Sequence, residues 1–332
     1  HDGKWVVITT SKGTDSRYAI HIMPMGKSRK WQAQTLIAGL DNAWNLIDGI
    51  GDALYFVTNK DAPRMKVVRF NLKKQALYRI PCEGSTKADD VCLEPRADYV
   101  DIIAERPETL DRAQIVGDRL VLSYLKDAKS IAEVRSLDGK PVQQIALNAI
   151  GTAPGFTGVP GEPETFYSFS SFNQPSGIYR FDTRTGKSEP FALPKLTFNP
   201  DDYAIEQRFY TSKDGTRVPL FVVRRKDLAQ ANKAVPTLLY GYGGFDISLT
   251  PGFSAMRMAW LEAGGAFALA NLRGGGEYGK AWHDAGRLNN KQNVFDDFIA
   301  AGEYLIAQGI TPKNGLTIQG GSNGGLLIGA VV

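Results

Sequence analysis

The residue whose type and setting could carry chemistry is Ser322, in the run Ile318-Gln319-Gly320-Gly321-Ser322-Asn323-Gly324-Gly325-Leu326-Leu327. The run reads as a buried strand, a sharp turn and a helix, with the serine at the apex. Glycine on either side, at Gly320 and Gly324, lets the backbone turn tightly enough to push the hydroxyl out of a sheet. A serine held in this way is a candidate nucleophile. It then needs a base for its proton and donors for the negative charge that develops on the attacked carbonyl.

Donors are offered upstream. Tyr240-Gly241-Tyr242-Gly243-Gly244-Phe245 follows the short apolar run Thr237-Leu238-Leu239-Tyr240, where α/β-hydrolases put the loop that helps to form the oxyanion hole. Glycine there lets the main chain approach a substrate carbonyl, and Tyr242 carries a phenolic donor. A plain strand-to-loop turn is the alternative. An elbow without donors would have little catalytic value, because one such donor is commonly worth about 2.7–4 kcal/mol in the transition state.

A second glycine-rich segment, Gly274-Gly275-Gly276-Glu277-Tyr278-Gly279-Lys280, matches both G-x-G-x-x-G and the start of G-x-x-x-x-G-K. Ala281 stands where a phosphate loop needs Ser or Thr for magnesium, and Trp282-His283-Asp284-Ala285-Gly286-Arg287 is a poor phosphate-facing helix start. The segment is read as a backbone-packing loop, and no cofactor is expected. No metal is expected either: a zinc site needs about four ligands, and the histidines His1, His21 and His283 lie far from the cysteines in sequence. His21, between Ile20 and Ile22 on an alternating strand, reads as a surface or core-edge residue.

Two kinds of architecture must position these residues. Beyond Leu193-Pro194 and Asn199-Pro200, the hairpin Glu206–Tyr210 with Val218–Val223, turned by Lys213-Asp214-Gly215, leads into alternating strands and helices. Thr237–Tyr240, Ala266–Ala270 and Leu316–Gln319 read as buried strands, Ser254–Ala263 and Lys291–Gln308 as helices. Such alternation predicts a mostly parallel sheet with helices on both faces, the first part of an α/β-hydrolase domain over residues 200–332. Residues 1–199 instead repeat short β-branched and aromatic strands. The copies are Trp5–Thr10 with Tyr18–Met23; Ala53–Thr58 with Lys66–Asn71 and Ala76–Ile80; Arg119–Tyr124 with Ala132–Ser136 and Val142–Ile145; and Thr165–Ser170 with Gly177–Asp182 and Pro190–Ala192. A recurrence of roughly 50 residues with Gly/Asp/Asn turns predicts β-propeller blades, of which four are visible.

Composition narrows the partners. Hydrophobic residues at 43% and charged residues at 22% belong to a folded globular protein. The net charge of +4, with no basic run interleaved with aromatics, argues against nucleic acid. Arg224-Arg225-Lys226 meets Asp227 at once and reads as a solvated loop. No apolar run approaches the ~18 residues that span a bilayer, so no membrane partner is expected. Cys82 and Cys92 bracket a polar stretch. A disulfide between them would point to an oxidising compartment, and two free thiols are the alternative. On that pair alone the periplasm is favoured over the cytoplasm.

Four segments in order, Tyr240–Phe245, Asn271–Gly279, Asn290–Phe298 and Gly320–Gly325, resemble successive signatures of the prolyl oligopeptidase family of serine peptidases. The resemblance is dense over residues 203–332 and looser before them. It implies a seven-bladed propeller capping an α/β-hydrolase domain, and cleavage of short peptides on the carboxyl side of proline; a monomer is expected, though no residue pattern speaks to oligomeric state. It also implies Ser322 as nucleophile, the Asn323 main-chain N–H and the Tyr242 hydroxyl as oxyanion donors, and Phe245 lining the pocket for the proline ring. The departure is large: in α/β-hydrolases the acid and the histidine follow the serine, and none of residues 323–332 is Asp, Glu or His. The chain is therefore expected to be a fragment of a larger peptidase, with the triad Asp and His beyond Val332. Another α/β-hydrolase such as an esterase, or a non-catalytic propeller scaffold, would share parts of the pattern.

Overall fold

A computed structural model of the chain describes residues 3–13, 15–25, 33–74, 76–81, 91–96, 99–147 and 149–332, with the backbone alone at 74, 76–81 and 91–96. Four antiparallel sheets follow one another along the first part of the chain. Trp5–Thr10, Ala19–Pro24 and Gln34–Ile37 form the first; Trp44–Ile50, Ala53–Thr58, Lys66–Asn71 and Tyr99–Ile103 the second. Thr109–Val116, Arg119–Lys126, Lys129–Ser136 and Pro141–Ile145 form the third; Gly155–Thr157, Glu164–Ser171, Gln174–Asp182 and Ser188–Ala192 the fourth.

These sheets pack face to face, as propeller blades do. Ile20 and Ile22 of the first blade meet Trp44, Phe56 and Phe70 of the second. Val67 and Ile103 of the second meet Ile115, Leu122 and Tyr124 of the third. Val121 and Val134 of the third meet Phe156, Tyr167 and Phe181 of the fourth. Because a middle blade is covered on both faces, its inner strand Arg119–Lys126 is buried on both sides: Leu120 to Leu125 are all buried.

The second blade differs from the sequence expectation. Ala76–Pro81 is not its next strand but pairs with Val91–Arg96 in a separate two-stranded hairpin, and the blade is completed by Tyr99–Ile103 against Lys66–Asn71. Alternation identifies a strand without naming its partner, and the two candidates lie close together in sequence. Cys82 and the Cys92 side chain lie outside the described residues.

From Tyr203 a five-stranded sheet begins. Its order is Tyr203–Thr211, Arg217–Arg225, Ala266–Ala270, Thr237–Tyr240, Leu316–Gln319. The last three strands run parallel, whereas the hairpin and its contact with Ala266–Ala270 are antiparallel. The sheet is thus mixed rather than mostly parallel, because the hairpin supplies two of its strands. Helix Gln292–Ala307 lays Val294, Phe298, Ala301 and Leu305 on the face carrying Leu220, Val222 and Leu239. Helix Ala255–Glu262 lays Met258 and Leu261 on the opposite face, against Phe221, Val223 and Phe267. Arg224 is not in a solvated loop. Strand alternation turns it inward, where it is 3% exposed and 3.5 Å from Glu206, while Arg225 faces solvent and pairs with Asp227.

Candidate active site

Parallel register assembles the site. Thr237 pairs with Leu316 and Tyr240 with Gln319, so both strands end at the same edge of the sheet and each runs directly into its glycine turn. The main chain of Gly241 extends the ladder one step, donating to Gln319 O at 3.3 Å. Ala266–Ala270, on the other side of Thr237–Tyr240, delivers the Asn271–Gly279 loop to that edge as well.

At the elbow, Ser322 has φ 53° and ψ −119°, and helix Asn323–Val331 starts at the next residue. A non-glycine residue in this region is strained by about 1–3 kcal/mol and must be held there by its surroundings. The glycines show how. A Cβ on Gly320 would lie 2.3 Å from the Gly324 carbonyl oxygen, and one on Gly324 would lie 2.8 Å from the Gly241 oxygen. The turn is closed by Gly324 N–H to Gly321 O at 2.7 Å and Gly325 N–H to Ser322 O at 2.8 Å. Ser322 itself is exposed, at the mouth of the turn.

The Tyr242 loop lies on this elbow. The Asn323 side-chain amide donates to Tyr242 O at 2.7 Å, and Lys291 Nζ donates to Gly243 O at 2.7 Å and to Asn323 Oδ1 at 3.4 Å. A Cβ on Gly244 would be 2.5 Å from Asn323 Nδ2, so glycine is needed for that approach. Tyr242, Asn323 and Ser322 are therefore brought to one place. Phe245 is not packed with them: its side chain is 73% exposed and its φ is 55°.

The Gly274 loop is filled by the protein itself. A Cβ on Gly275 would meet Glu277 Oε2 at 2.2 Å, one on Gly276 the Asp246 oxygen at 2.5 Å, and one on Gly274 the Gly243 oxygen at 2.8 Å. These neighbours are acceptors, unsuited to a phosphate. Arg273 anchors the loop: it pairs with the fully buried Asp297 at 2.6 Å and with Asp214, and its main-chain N–H donates to Asp297 Oδ2. Those two carboxylates hold its guanidinium firmly charged despite burial. Glu277 is buried, and burial pushes its carboxyl up to about 7 although Leu249 N–H and Asn271 Nδ2 donate to Oε1. His283 Nδ1 lies 2.8 Å from Gly274 O and 3.1 Å from Asp246 N, so that nitrogen serves the loop. Among the described residues the Ser322 hydroxyl has no histidine or carboxylate partner.

Sequence reading did not find Lys291, Arg273, Asp297 or Glu277. Their partners lie far away in sequence, and single charged residues in a helix or loop give no pattern.

A family model described as the prolyl oligopeptidase N-terminal β-propeller domain matches residues 1–194, and one described as the prolyl oligopeptidase family matches residues 251–332. The chain belongs to the prolyl oligopeptidase family. It carries the family's N-terminal propeller domain and the start of its peptidase domain. A prolyl endopeptidase of Elizabethkingia miricola is 40% identical over 331 residues, covering 100% of this chain and 44% of that relative. A structure from a structural and mechanistic analysis of two prolyl endopeptidases is 50% identical, with a TM-score of 0.74 over 99% of this chain and 45% of that one. Prolyl oligopeptidase B of Galerina marginata, bound to a 35mer hydrolysis and macrocyclization substrate, matches at 29% identity and a TM-score of 0.87, over 100% of this chain and 45% of that one. The chain thus spans about 44% of the length of the curated relatives it matches.

Proposed function

We propose that the protein is a serine endopeptidase that cleaves short peptides on the carboxyl side of proline, through an acyl-enzyme at Ser322. One observation supports this above the rest: a strained, exposed serine on an elbow whose neighbouring loop is fastened to it by Asn323 and Lys291. Ser322 Oγ forms a bond to the peptide carbonyl carbon, and its proton passes to a histidine. The Asn323 main-chain N–H and the Tyr242 hydroxyl hold the oxyanion. The C–N bond then breaks, the amine leaves with that proton, and water later releases the acyl group. Phe245 lines the proline pocket. His283 Nδ1 is taken by the Gly274 loop, and in the Ser…Asp…His order of α/β-hydrolases the base is a histidine, held by an aspartate, later in the polypeptide than Ser322; the relatives are more than twice as long as this chain. The propeller restricts substrates to short or unfolded peptides.

The test is hydrolysis by the full-length protein of a peptide p-nitroanilide with proline before the anilide, beside a simple acyl ester. Cleavage of the proline peptide, lost in Ser322→Ala, is expected. Ester hydrolysis without peptide cleavage would assign the site to an esterase, and failure of both would leave the propeller as a scaffold.

A further inference from the structure

We propose that Lys291, acting with the Asn323 side chain, is a positioning residue that clamps the oxyanion loop onto the serine elbow. This rests on the reading of Ser322 as nucleophile. The ammonium bridges Gly243 O and Asn323 Oδ1, and the Asn323 amide in turn holds Tyr242 O. One cation and one amide therefore join the start of helix Gln292–Ala307, the oxyanion loop and the elbow, three segments distant in sequence. The residues gripped are the two that carry the oxyanion donors, or their immediate neighbour.

Two further observations separate this from an ordinary helix-end lysine. Lys291 lies where the 3₁₀ turn Leu288–Asn290 passes into helix Gln292–Ala307, its backbone is helical and its side chain makes no capping hydrogen bond, so the ammonium serves the loop and not the helix end. The side chain is also half-buried and, among the described residues, forms no ion pair. Its charge rests on two neutral oxygens beside the place where negative charge develops during acyl transfer. The loop has little freedom to find another seat: a Cβ on Gly243 would lie 2.2 Å from Val294 Cγ1, within the first turn of the same helix.

The experiment uses the full-length protein and two readouts, kcat and KM on the proline p-nitroanilide and the rate at which a fluorophosphonate labels Ser322. Labelling needs the nucleophile and the oxyanion donors but no proline pocket. Lys291→Met is expected to lower kcat and the labelling rate roughly 10- to 100-fold, with KM changed less than about threefold. Asn323→Ala keeps the main-chain N–H and should give a loss of the same order. The double variant should fall no more than about twofold below the weaker single variant, because both break one clamp. Lys291→Arg, which can still donate to Gly243 O, should recover part of the loss. Either single variant at the wild-type labelling rate overturns the proposal, and so do losses that multiply in the double variant. Should Lys291→Met fail to fold, Asn323→Ala decides. A wild type that is labelled yet leaves proline peptides intact refutes the substrate reading alone, and the clamp is then judged on labelling rates. A wild type that is not labelled refutes the nucleophile and the clamp with it.

Discussion

Ser322 holds a conformation that serine does not choose for itself, and its neighbours show what keeps it there. The atom that would meet a Cβ on Gly320 is the Gly324 carbonyl oxygen, 2.3 Å away; this is main chain, which cannot swing aside as a long side chain could. Gly320→Ala must therefore open the turn and move the hydroxyl. Misplacement by about 1 Å commonly lowers a rate by 10²-fold, whereas opening the turn also releases the 1–3 kcal/mol of strain at Ser322. The expected signature is fluorophosphonate labelling reduced by about 100-fold with a melting temperature within a few degrees of wild type. Wild-type labelling of the folded variant would show that the elbow tolerates a side chain there. At this scale the sequence disclosed Ser322 and Tyr242 because their glycine neighbours form a pattern. It did not disclose Lys291 or Asp297, whose roles exist only once helix Gln292–Ala307 has packed against the loops.

At the scale of elements, strand identity was legible and partnership less so. Thr237–Tyr240, Ala266–Ala270 and Leu316–Gln319 announce themselves as short apolar runs between glycines, and helix Gln292–Ala307 by its periodic apolar face. The pairing of Ala76–Pro81 with Val91–Arg96 depends on which of two nearby strands it meets, and alternation is silent on that. Glu277 shows what the Gly274 loop conceals. Its Oε2 has no hydrogen-bond partner among the described residues, the nearby Asp246 carboxyl disfavours a second charge, and burial outweighs the donors on Oε1. The folded carboxyl is thus raised from the ordinary 4.5 to about 7, and the fold favours its neutral form. Its contribution is present in full below the unfolded value and is lost as pH rises through about 7. That interval corresponds to about 3 kcal/mol. Glu277→Gln can keep both hydrogen bonds on Oε1. Relative to wild type it should therefore gain up to about 3 kcal/mol between pH 4.5 and pH 8, measured by urea unfolding at both ends. Parallel pH profiles for the two proteins would refute this.

At the scale of the whole molecule, the propeller and the peptidase domain meet through hairpin tips. Asp127 and Ala128, at φ 50° and 65°, turn the third blade so that Ala128 is fully buried in the peptidase-side core. The Asp127 carboxylate accepts the Tyr278 hydroxyl at 2.8 Å, and Lys129 donates to Gln207 at 3.0 Å. The fourth blade inserts Phe172 between Phe221 and Phe267, with ring centroids 5.4 and 6.0 Å away and the Arg257 guanidinium nearby. None of this was readable beforehand, because Ala128 and Phe172 each stand alone in a turn, and a single apolar residue there forms no pattern until the other domain covers it. Phe172 lies in a blade but has its aromatic contacts in the other domain, so its loss should weaken their coupling more than either core. Phe172→Ala is expected to lose about 3–5 kcal/mol of buried packing. In scanning calorimetry of the full-length protein the propeller and peptidase transitions should then move apart. Val142→Ala, at a side chain 45% exposed on the last strand of the third blade, which has a blade packed on each face, should stay within about 0.5 kcal/mol of wild type. If Phe172→Ala shifts a single undivided transition no further than Val142→Ala does, the ring is not what couples the two domains, and the polar contacts around Asp127 must carry that coupling instead.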